Sequence, residues 1–394
     1  MEKEFKRPRV AIIHFQLKEG GGSEARPLWL AVALKDSCDI TLMTSGQVDL
    51  HKLNIAYGAC LKPEDLTLVT ISIPPLFRRR FDALRGFRLE RYCRAHAVEF
   101  DAMVSTYNVM DFGRKGIQFI ADFSFDDTLR KRFDNSPRGT RSFLYGGSAL
   151  RRLYLKLGSV LSGRTAAGWK SNLTVANSEW TKKVLFDTYG IESQVIYPPV
   201  SGDFPNVPWE NREDGFIFLG RISPEKRVDQ VISILGKVRA QGHEIHLHIC
   251  GCGNDSAYGR RIKELAGRND AWVFLEGLVA GNEKKKLIAH HKYGISGRRN
   301  EPFGIAVAEM VKAGCLVWVP DGGGQVEIVD AQRLVYQNEE EAVLKIVNLL
   351  KSESIKHELR DQLKTHVHKF SQERFMKDAS VAIFEFLGRS MKHS

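Results

Sequence analysis

Two glutamates stand eight residues apart in NEPFGIAVAEMVKAGCLVWVPDGGGQVEIV, Asn300 to Val329. Glu301 falls just before a helix whose start is marked by Pro302 and Gly304, and Glu309 falls inside that helix. Such a start presents unpaired backbone amides from about Phe303 through Gly304 and Ile305 to Ala306, a seat for an anion. A carboxylate on each side of the seat suits a ligand whose hydroxyls flank a phosphate, as in a nucleotide sugar. Glu309 would take the ribose diol and Glu301 the sugar hydroxyls. For two acidic residues alone, a favourable interaction with the helix macrodipole is the stronger account. The balance changes with FLGRISPEKRVDQVI, Phe218 to Ile232, where a strand ends at Gly220, a tight turn carries Arg221, and Lys226 opens the next helix. Both cations follow the carboxyl end of a strand, where open α/β sheets bind their ligands, whereas Arg227 reads as solvated charge.

The elements that must hold these groups are legible on both sides. RVAIIHF (9–15) is a short apolar strand followed by the glycine turn 20–22 and a helical pattern in EARPLWLAVALKD. DITLMTS (39–45), DAMVSTY (101–107), IQFIADF (117–123) and LTVANS (173–178) read as further strands, the last before a helix in EWTKKVLFDTYG. Apolar strands alternating with helices imply a parallel sheet covered on both faces. The alternation breaks between Tyr197 and Asp214, which holds four of the thirteen prolines, and restarts at GFIFLG (215–220), EIHLHICG (244–251), WVFLEG (272–277) and CLVWVP (315–320). The expected organisation is one α/β domain over 1–197, a linker over 198–214, a second α/β domain over 215–371, and an amphipathic helix over 372–394.

The 394 residues, 43% hydrophobic and 27% charged, fit two packed domains and exclude a disordered chain or a coiled coil. No apolar run approaches the ~20 residues that span a bilayer, and no signal-peptide core precedes the first strand, so a cytoplasmic protein is expected. Six cysteines without C-x-x-C spacing make no disulfide framework, and Cys250 and Cys252 are expected to be buried thiols, not metal ligands. The net charge of +11 is uneven: 77–170 holds 19 Lys plus Arg against 9 Asp plus Glu, a net of +10.

The ordered set GRISPEKRVD, HICGCGN, FLEGLV, EPFGIAVAEM and PDGGGQVEIV resembles the retaining GT-B glycosyltransferases of family GT4 over nearly all of 215–329. Weaker likeness extends to GGGSEA, ANSEW, VIYPPV and FSQERF, and KYGISGRRNEPFGI is similar in rhythm to the mannosyltransferases that extend lipid-linked oligosaccharides. The resemblance implies two Rossmann-like domains facing a central cleft, with the acceptor in the first, the donor in the second, and the last helix returning to the first. It matches Arg221 and Lys226 to the cations on the donor diphosphate, Glu309 to the ribose ligand, and Glu301 to the residue that meets the sugar. Phe303, Gly304 and Ile305 are matched to nearby backbone amides. It also implies a second glycine loop, Gly322–Gly324, closing over the donor. The family histidine after IQFIADF is replaced by Ala121 and Asp122, and Asp122 either takes its place by accepting a hydrogen bond from a sugar or acceptor hydroxyl or is simply polar lining. No Asp-x-Asp holds a divalent ion, so fixed cations are expected in place of a metal.

Gly21 and Gly22, with Gly20, lie at the first strand-to-helix turn, where backbone can approach a diphosphate or an acceptor. Gly20, Gly22 and Ala25 also satisfy G-x-G-x-x-A, but the second strand ends in Thr44, Ser45 and Gly46 without the acidic residue a dinucleotide site needs. A GT-B nucleotide-sugar 2-epimerase accounts less well for the second-domain motifs. His14, at the end of the first strand, reads as a packed or partly exposed histidine, not a base. Arg78–Arg80, Arg85, Arg88, Arg91 and Arg94, interleaved with Phe77, Phe81, Phe87 and Tyr92, form a cationic aromatic stretch, joined by 130–132, Arg151, Arg152 and Lys156. Such patches attract any polyanion. The expected partners are a nucleotide-sugar donor, a glycan or lipid-linked acceptor and an anionic membrane surface, the last implying peripheral attachment; a nucleic-acid partner is not expected.

Overall fold

The computed structural model describes residues 6–17, 21–72, 82–133, 149–200, 202–253 and 255–391, without the side chains of 82–84, 149–152, 154 and 389–391. Contacts divide the chain into two units, one holding 1–131, 138–199 and 372–394, the other 132–137 and 200–371.

The first unit is built on a seven-stranded sheet in the order β3-β2-β1-β4-β5-β6-β7. Its strands are β1 (Arg9–His14), β2 (Asp39–Ser45), β3 (Thr67–Ile71), β4 (Ala102–Ser105), β5 (Ile117–Phe119), β6 (Leu173–Ala176) and β7 (Ser193–Val195), all in parallel pairs. Alternation along β1 divides the core. Val10 and Ile12 pack with Leu28 and Ala31 of the first helix, Ala25–Leu34, whereas Ala11 and Ile13 pack with Leu89 and Cys93 on the other face. The last helix, Gln372–Met391, joins the first of these clusters through Phe375, Ala379, Ala382, Ile383, Phe386 and Leu387. Val381 and Phe384, whose apolar character suggests burial, are half-exposed instead. Ser178 caps the helix Glu179–Tyr189 by accepting from Thr181 N at 3.0 Å, and Gly190 ends it at φ +67°.

The second unit has a six-stranded parallel sheet in the order β10-β9-β8-β11-β12-β13. The strands are β8 (Glu213–Leu219), β9 (His246–Cys250), β10 (Val273–Gly277), β11 (His291–Ile295), β12 (Leu316–Pro320) and β13 (Val335–Tyr336). Phe216, Tyr293 and Trp318, from adjacent strands, bring their rings within 5.1–5.9 Å of one another and fill the middle of the sheet. Residues 200–371 belong to this unit, so most of the expected linker is part of it: Trp209 is buried, 5.9 Å from the Tyr293 ring. Prolines there break the periodicity that would have revealed the packing.

Candidate functional site

The residues matched to the donor in the second unit all follow the carboxyl end of a strand. β8 stops at Leu219, and the chain turns through Gly220 close against the end of β9: a Cβ on Gly251 would lie 1.8 Å from the Gly220 carbonyl oxygen. A 3-10 turn, Pro224–Lys226, and Arg227 at φ +50° lead into the helix Val228–Arg239. The turn sends Lys226 inward. Its Nζ donates to Glu301 Oε2 at 2.6 Å. Glu301 follows β11 and is gripped by the glycine run after β12: Gly324 N donates to Glu301 O at 2.8 Å. Gly323, at φ +88°, approaches so closely that a Cβ would meet Glu301 O at 2.4 Å. The run Gly322–Gly324 is therefore seated on the glutamate's backbone before the short helix Gln325–Val329.

Arg298 completes the cluster, donating through Nη1 to Glu301 Oε1 at 3.1 Å. Burial acts to raise the Glu301 pKa, but Lys226, Arg298 and Arg221 together hold its carboxyl at about 2. Arg221 is mostly exposed, 3.4 Å from Glu225, whose carboxylate also accepts from Ser223 Oγ at 2.7 Å. Three cations and two carboxylates thus share one locus. Arg298 escaped the sequence reading because one of two adjacent arginines in a loop looks like surface charge; its only signal was the i,i+3 spacing to Glu301. Gln325, fully buried, was also missed: its Nε2 donates to the Arg298 carbonyl at 2.7 Å while its Oε1 accepts from Ser296 Oγ at 3.1 Å, which fixes the loop carrying Arg298.

The helix Ile305–Lys312 begins at Gly304, in left-handed backbone at φ +106°, with no side-chain cap. A Cβ on Gly304 would stand 3.5 Å from Glu301 Cγ, so the helix start, with its unpaired first-turn amides, lies beside the glutamate. The Phe303 side chain is core, edge-on to Phe370 at 5.5 Å, so only its backbone is offered to a ligand. Glu309 receives Lys284 Nζ at 2.7 Å, a cation drawn from the lysine run 284–286 that the sequence reading did not single out. Cys250 is buried as expected; Cys252 is exposed, because the strand ends at Cys250 and the next residues leave the sheet.

In the first unit, Asp122 accepts from Asn108 Nδ2 at 2.7 Å and from Ser124 N at 2.9 Å, with the Tyr107 hydroxyl 3.4 Å away. Asn108, at φ +63°, in turn accepts from the amides of Ala121 and Asp122. Asp122 and then burial push the Tyr107 phenol well above its usual range. Nearby Arg26 is 3% exposed and donates to the Thr106 carbonyl at 3.0 Å. Burial pulls its guanidinium down to about 10 against the opposing pull of Asp122, so it stays charged at neutral pH. An arginine in the first turn of a helix, against the macrodipole and beside an apolar run, was the available signal for it. His14 is buried, 3.0 Å from Thr106 Oγ1, and burial followed by Arg26 lowers its pKa to about 3; of the packed and partly exposed alternatives it is the packed one. At the glycine turn, Gly21 O accepts from Tyr57 OH at 3.0 Å, and a Cβ on Gly21 would fall 2.0 Å from the Glu24 carboxylate. That carboxylate also accepts from Ser23 N at 3.0 Å, so an anion at Gly21 or Gly22 would have to displace it. Gly20 lies outside the described residues.

Of the cationic aromatic stretch, 77–81 lies outside the described residues, as do the side chains of Arg151 and Arg152. Among the described residues the interleaved aromatics do not form a stacking surface: Phe87 is buried, its ring filling the space where a Cβ on Gly158 would be 2.3 Å away, and Tyr92 stacks on His96 at 4.0 Å. Asp126 caps the helix Asp127–Phe133 by accepting from Thr128 N and Leu129 N, while Asp127 pairs with Arg130 at 3.3 Å, so the two adjacent acids face different partners.

Residues 203–369 match the family model described as glycosyl transferases group 1. The GDP-Man:Man(3)GlcNAc(2)-PP-Dol alpha-1,2-mannosyltransferase of Xenopus laevis is 27% identical over 192 residues, 45% of this chain and 39% of the frog protein. Its Caenorhabditis elegans counterpart is 24% identical over 80% of this chain and 76% of its own length. This chain therefore spans well under half of the first of these relatives and about three quarters of the second. Among solved structures, Anabaena HepE in complex with UDP and glucose superposes with a TM-score of 0.66 at 15% identity, covering 96% of this chain and 99% of that one. WaaG, a glycosyltransferase involved in lipopolysaccharide biosynthesis, gives 0.69 at 15% identity, covering 94% and 99%. The chain thus has the two-unit α/β fold of GT-B glycosyltransferases, and its residues 203–369 are similar to the glycosyl transferases group 1 family.

Proposed function

We propose that the protein is a retaining, metal-independent glycosyltransferase of the GT4 type. It takes a hexose from a nucleotide diphosphate sugar, with GDP-mannose the first donor to test among UDP- and GDP-sugars. The observation that carries this reading is the convergence of Lys226, Arg298 and Arg221 on one locus beside the uncapped start of the helix Ile305–Lys312. As the glycosidic bond breaks, negative charge grows on the departing diphosphate, and preorganised cations and helix amides stabilise that charge. Removing one such donor costs on the order of 3 kcal/mol of barrier. When the diphosphate occupies the cations, Glu301 is released to accept from sugar hydroxyls, and Glu309 exchanges Lys284 for the ribose diol. With fixed cations in this role and no Asp-x-Asp in the sequence, chelators leave turnover unchanged. The acceptor, a glycan or lipid-linked hydroxyl, is assigned to the first unit beside Asp122 and the turn at Gly21 and Gly22. Donor specificity toward GDP-mannose is supported by what the relatives' names say they use.

The test is a panel of UDP-, GDP- and ADP-sugars scored by thermal shift, followed by product analysis with the stabilising donor. Stabilisation by NAD and by no nucleotide sugar refutes the reading. An inverted anomeric configuration in the product refutes retention.

A peripheral seat on an anionic membrane, on its cytoplasmic face, belongs to the same proposal. Among the described residues no helix is long and apolar enough to cross a membrane. The helix Ala149–Ser162 instead exposes Leu153, Leu157, Val160 and Leu161, spaced to lie along one side, with exposed Lys156 on the same helix and exposed Arg88 and Arg91 on the neighbouring helix Asp82–Ala95. Arg91 Nη1 donates to the Leu161 carbonyl at 3.3 Å, which ties the two helices together. Apolar side chains flanked by cations suit an interfacial helix, and each cation near an anionic bilayer adds about 1 kcal/mol.

A further inference from the structure

At the other end of the second sheet, three histidines and a glutamate gather at the amino ends of three adjacent strands. β8 begins at Glu213, β9 at His246 and β11 at His291, with His248 two residues further along β9. Register sets Glu213 beside His291 and Gly215 beside His246. One ligand-type atom from each of Glu213, His246, His248 and His291 lies within 4.8 Å of all the others. Two of the separations are already those of metal ligands: His246 Nε2 is 3.4 Å from His291 Nε2 and 3.1 Å from Glu213 Oε2. Ligand atoms about 2.05 Å from a tetrahedral zinc ion stand about 3.3 Å apart.

The surroundings are arranged as they are around metal-bound imidazoles. His291 Nδ1 lies 2.7 Å from the Leu287 carbonyl, which can only accept, so Nδ1 carries the proton and Nε2 turns its lone pair toward the cluster. His248 Nδ1 lies 2.7 Å from the Glu276 carboxylate, again leaving Nε2 as the lone-pair atom. Space is kept for the third ring by a glycine in mid-strand, a position where glycine costs stability: a Cβ on Gly215 would stand 2.1 Å from His246 Nε2. Hydrogen bonding among the imidazoles explains the single 3.4 Å approach. It does not explain two rings fixed in the same tautomer, nor a carboxylate beside a third.

We infer that Glu213, His246, His248 and His291 form a site for one divalent transition-metal ion, zinc by the nitrogen and oxygen chemistry of the set, which pins β8, β9 and β11 together. Four protein ligands make the site closed, and its role structural. It is separate from the donor locus: Glu213 opens β8 and the turn carrying Arg221 follows its other end, about 20 Å of strand away. The inference does not rest on the glycosyltransferase reading.

The test uses the full-length protein loaded with zinc chloride, passed over a chelating resin and analysed for metal by mass spectrometry. The expected result is one zinc per chain, a melting temperature raised by roughly 5 to 10 °C when free zinc is about a hundredfold above Kd, and intense visible bands of tetrahedral cobalt after substitution with Co²⁺. Glu213→Gln, at a half-exposed position where folding is preserved, and His248→Gln should each weaken zinc binding by at least about tenfold. Gly215→Val should block it by filling the space of the His246 ring, and Glu276→Gln should weaken it without touching the ion. Far-UV circular dichroism reports whether each variant folds. Wild-type protein retaining no zinc, zinc content unchanged in the Glu213 and His248 variants, or a cobalt spectrum without tetrahedral bands would each overturn the proposal. Affinity for GDP stays the same with and without the metal, which separates this outcome from failure of the donor reading.

Discussion

Replacing Glu301 by Gln removes the charge on which Lys226 and Arg298 converge, and two separable consequences follow. The carboxyl titrates near 2 in the folded protein against an ordinary 4.5. At 1.36 kcal/mol per pKa unit, that difference amounts to about 3 kcal/mol of stability. Because the folded pKa is the lower one, the contribution is complete above pH 4.5 and is lost as the pH falls toward 2. The variant should therefore melt roughly 6 to 12 °C below wild type at pH 7, taking about 2 to 4 °C per kcal/mol for a unit of this size, and the two should converge in acid. Differential scanning calorimetry between pH 7 and pH 2.5 reads both. Equal melting at pH 7, or a gap that persists undiminished in acid, refutes the electrostatic account. The second consequence concerns the ligand. GDP should stabilise the variant at least as much as wild type, since its diphosphate meets two cations no longer neutralised, while the advantage of GDP-mannose over GDP should disappear. If the variant keeps that preference, Glu301 does not hold the sugar.

The double variant Arg221→Ala with Lys226→Ala should lower kcat/KM at least about a hundredfold, and turnover close to wild type would remove the leaving-group role of these cations. Glu309→Gln should weaken GDP by about 10- to 100-fold in titration calorimetry, the usual worth of hydrogen bonds to a charged acceptor; unchanged affinity would rule out its contact with the ribose. Sedimentation with anionic vesicles should recover the protein at low salt, less at high salt, and least for Leu157→Glu with Lys156→Glu. Equal recovery on neutral and anionic vesicles would argue against the membrane seat.

Sequence alone marked the strands whose apolar runs are continuous. β2 and β12 were legible within a residue because strands buried on both faces need such runs. It passed over β3, β7, β11 and β13. β3 and β7 are half-exposed, β13 is two residues long, and β11 opens with His291 and Lys292 before its buried part. The glutamates, the two cations and the glycine run were likewise visible, since residue type and spacing around a helix start are local properties. What only the tertiary structure decided is which charges meet. Lys226 and Glu301 are 75 residues apart and Lys284 and Glu309 are 25 apart, so their pairing depends on strand order and loop path. The same holds for the three histidines, scattered over 46 positions and brought to one sheet end by the adjacency of β9, β8 and β11. Chemistry that depends on a neighbour in sequence is written in the chain. Chemistry that depends on a neighbour across a sheet exists only once hydrogen bonding between strands has fixed the register.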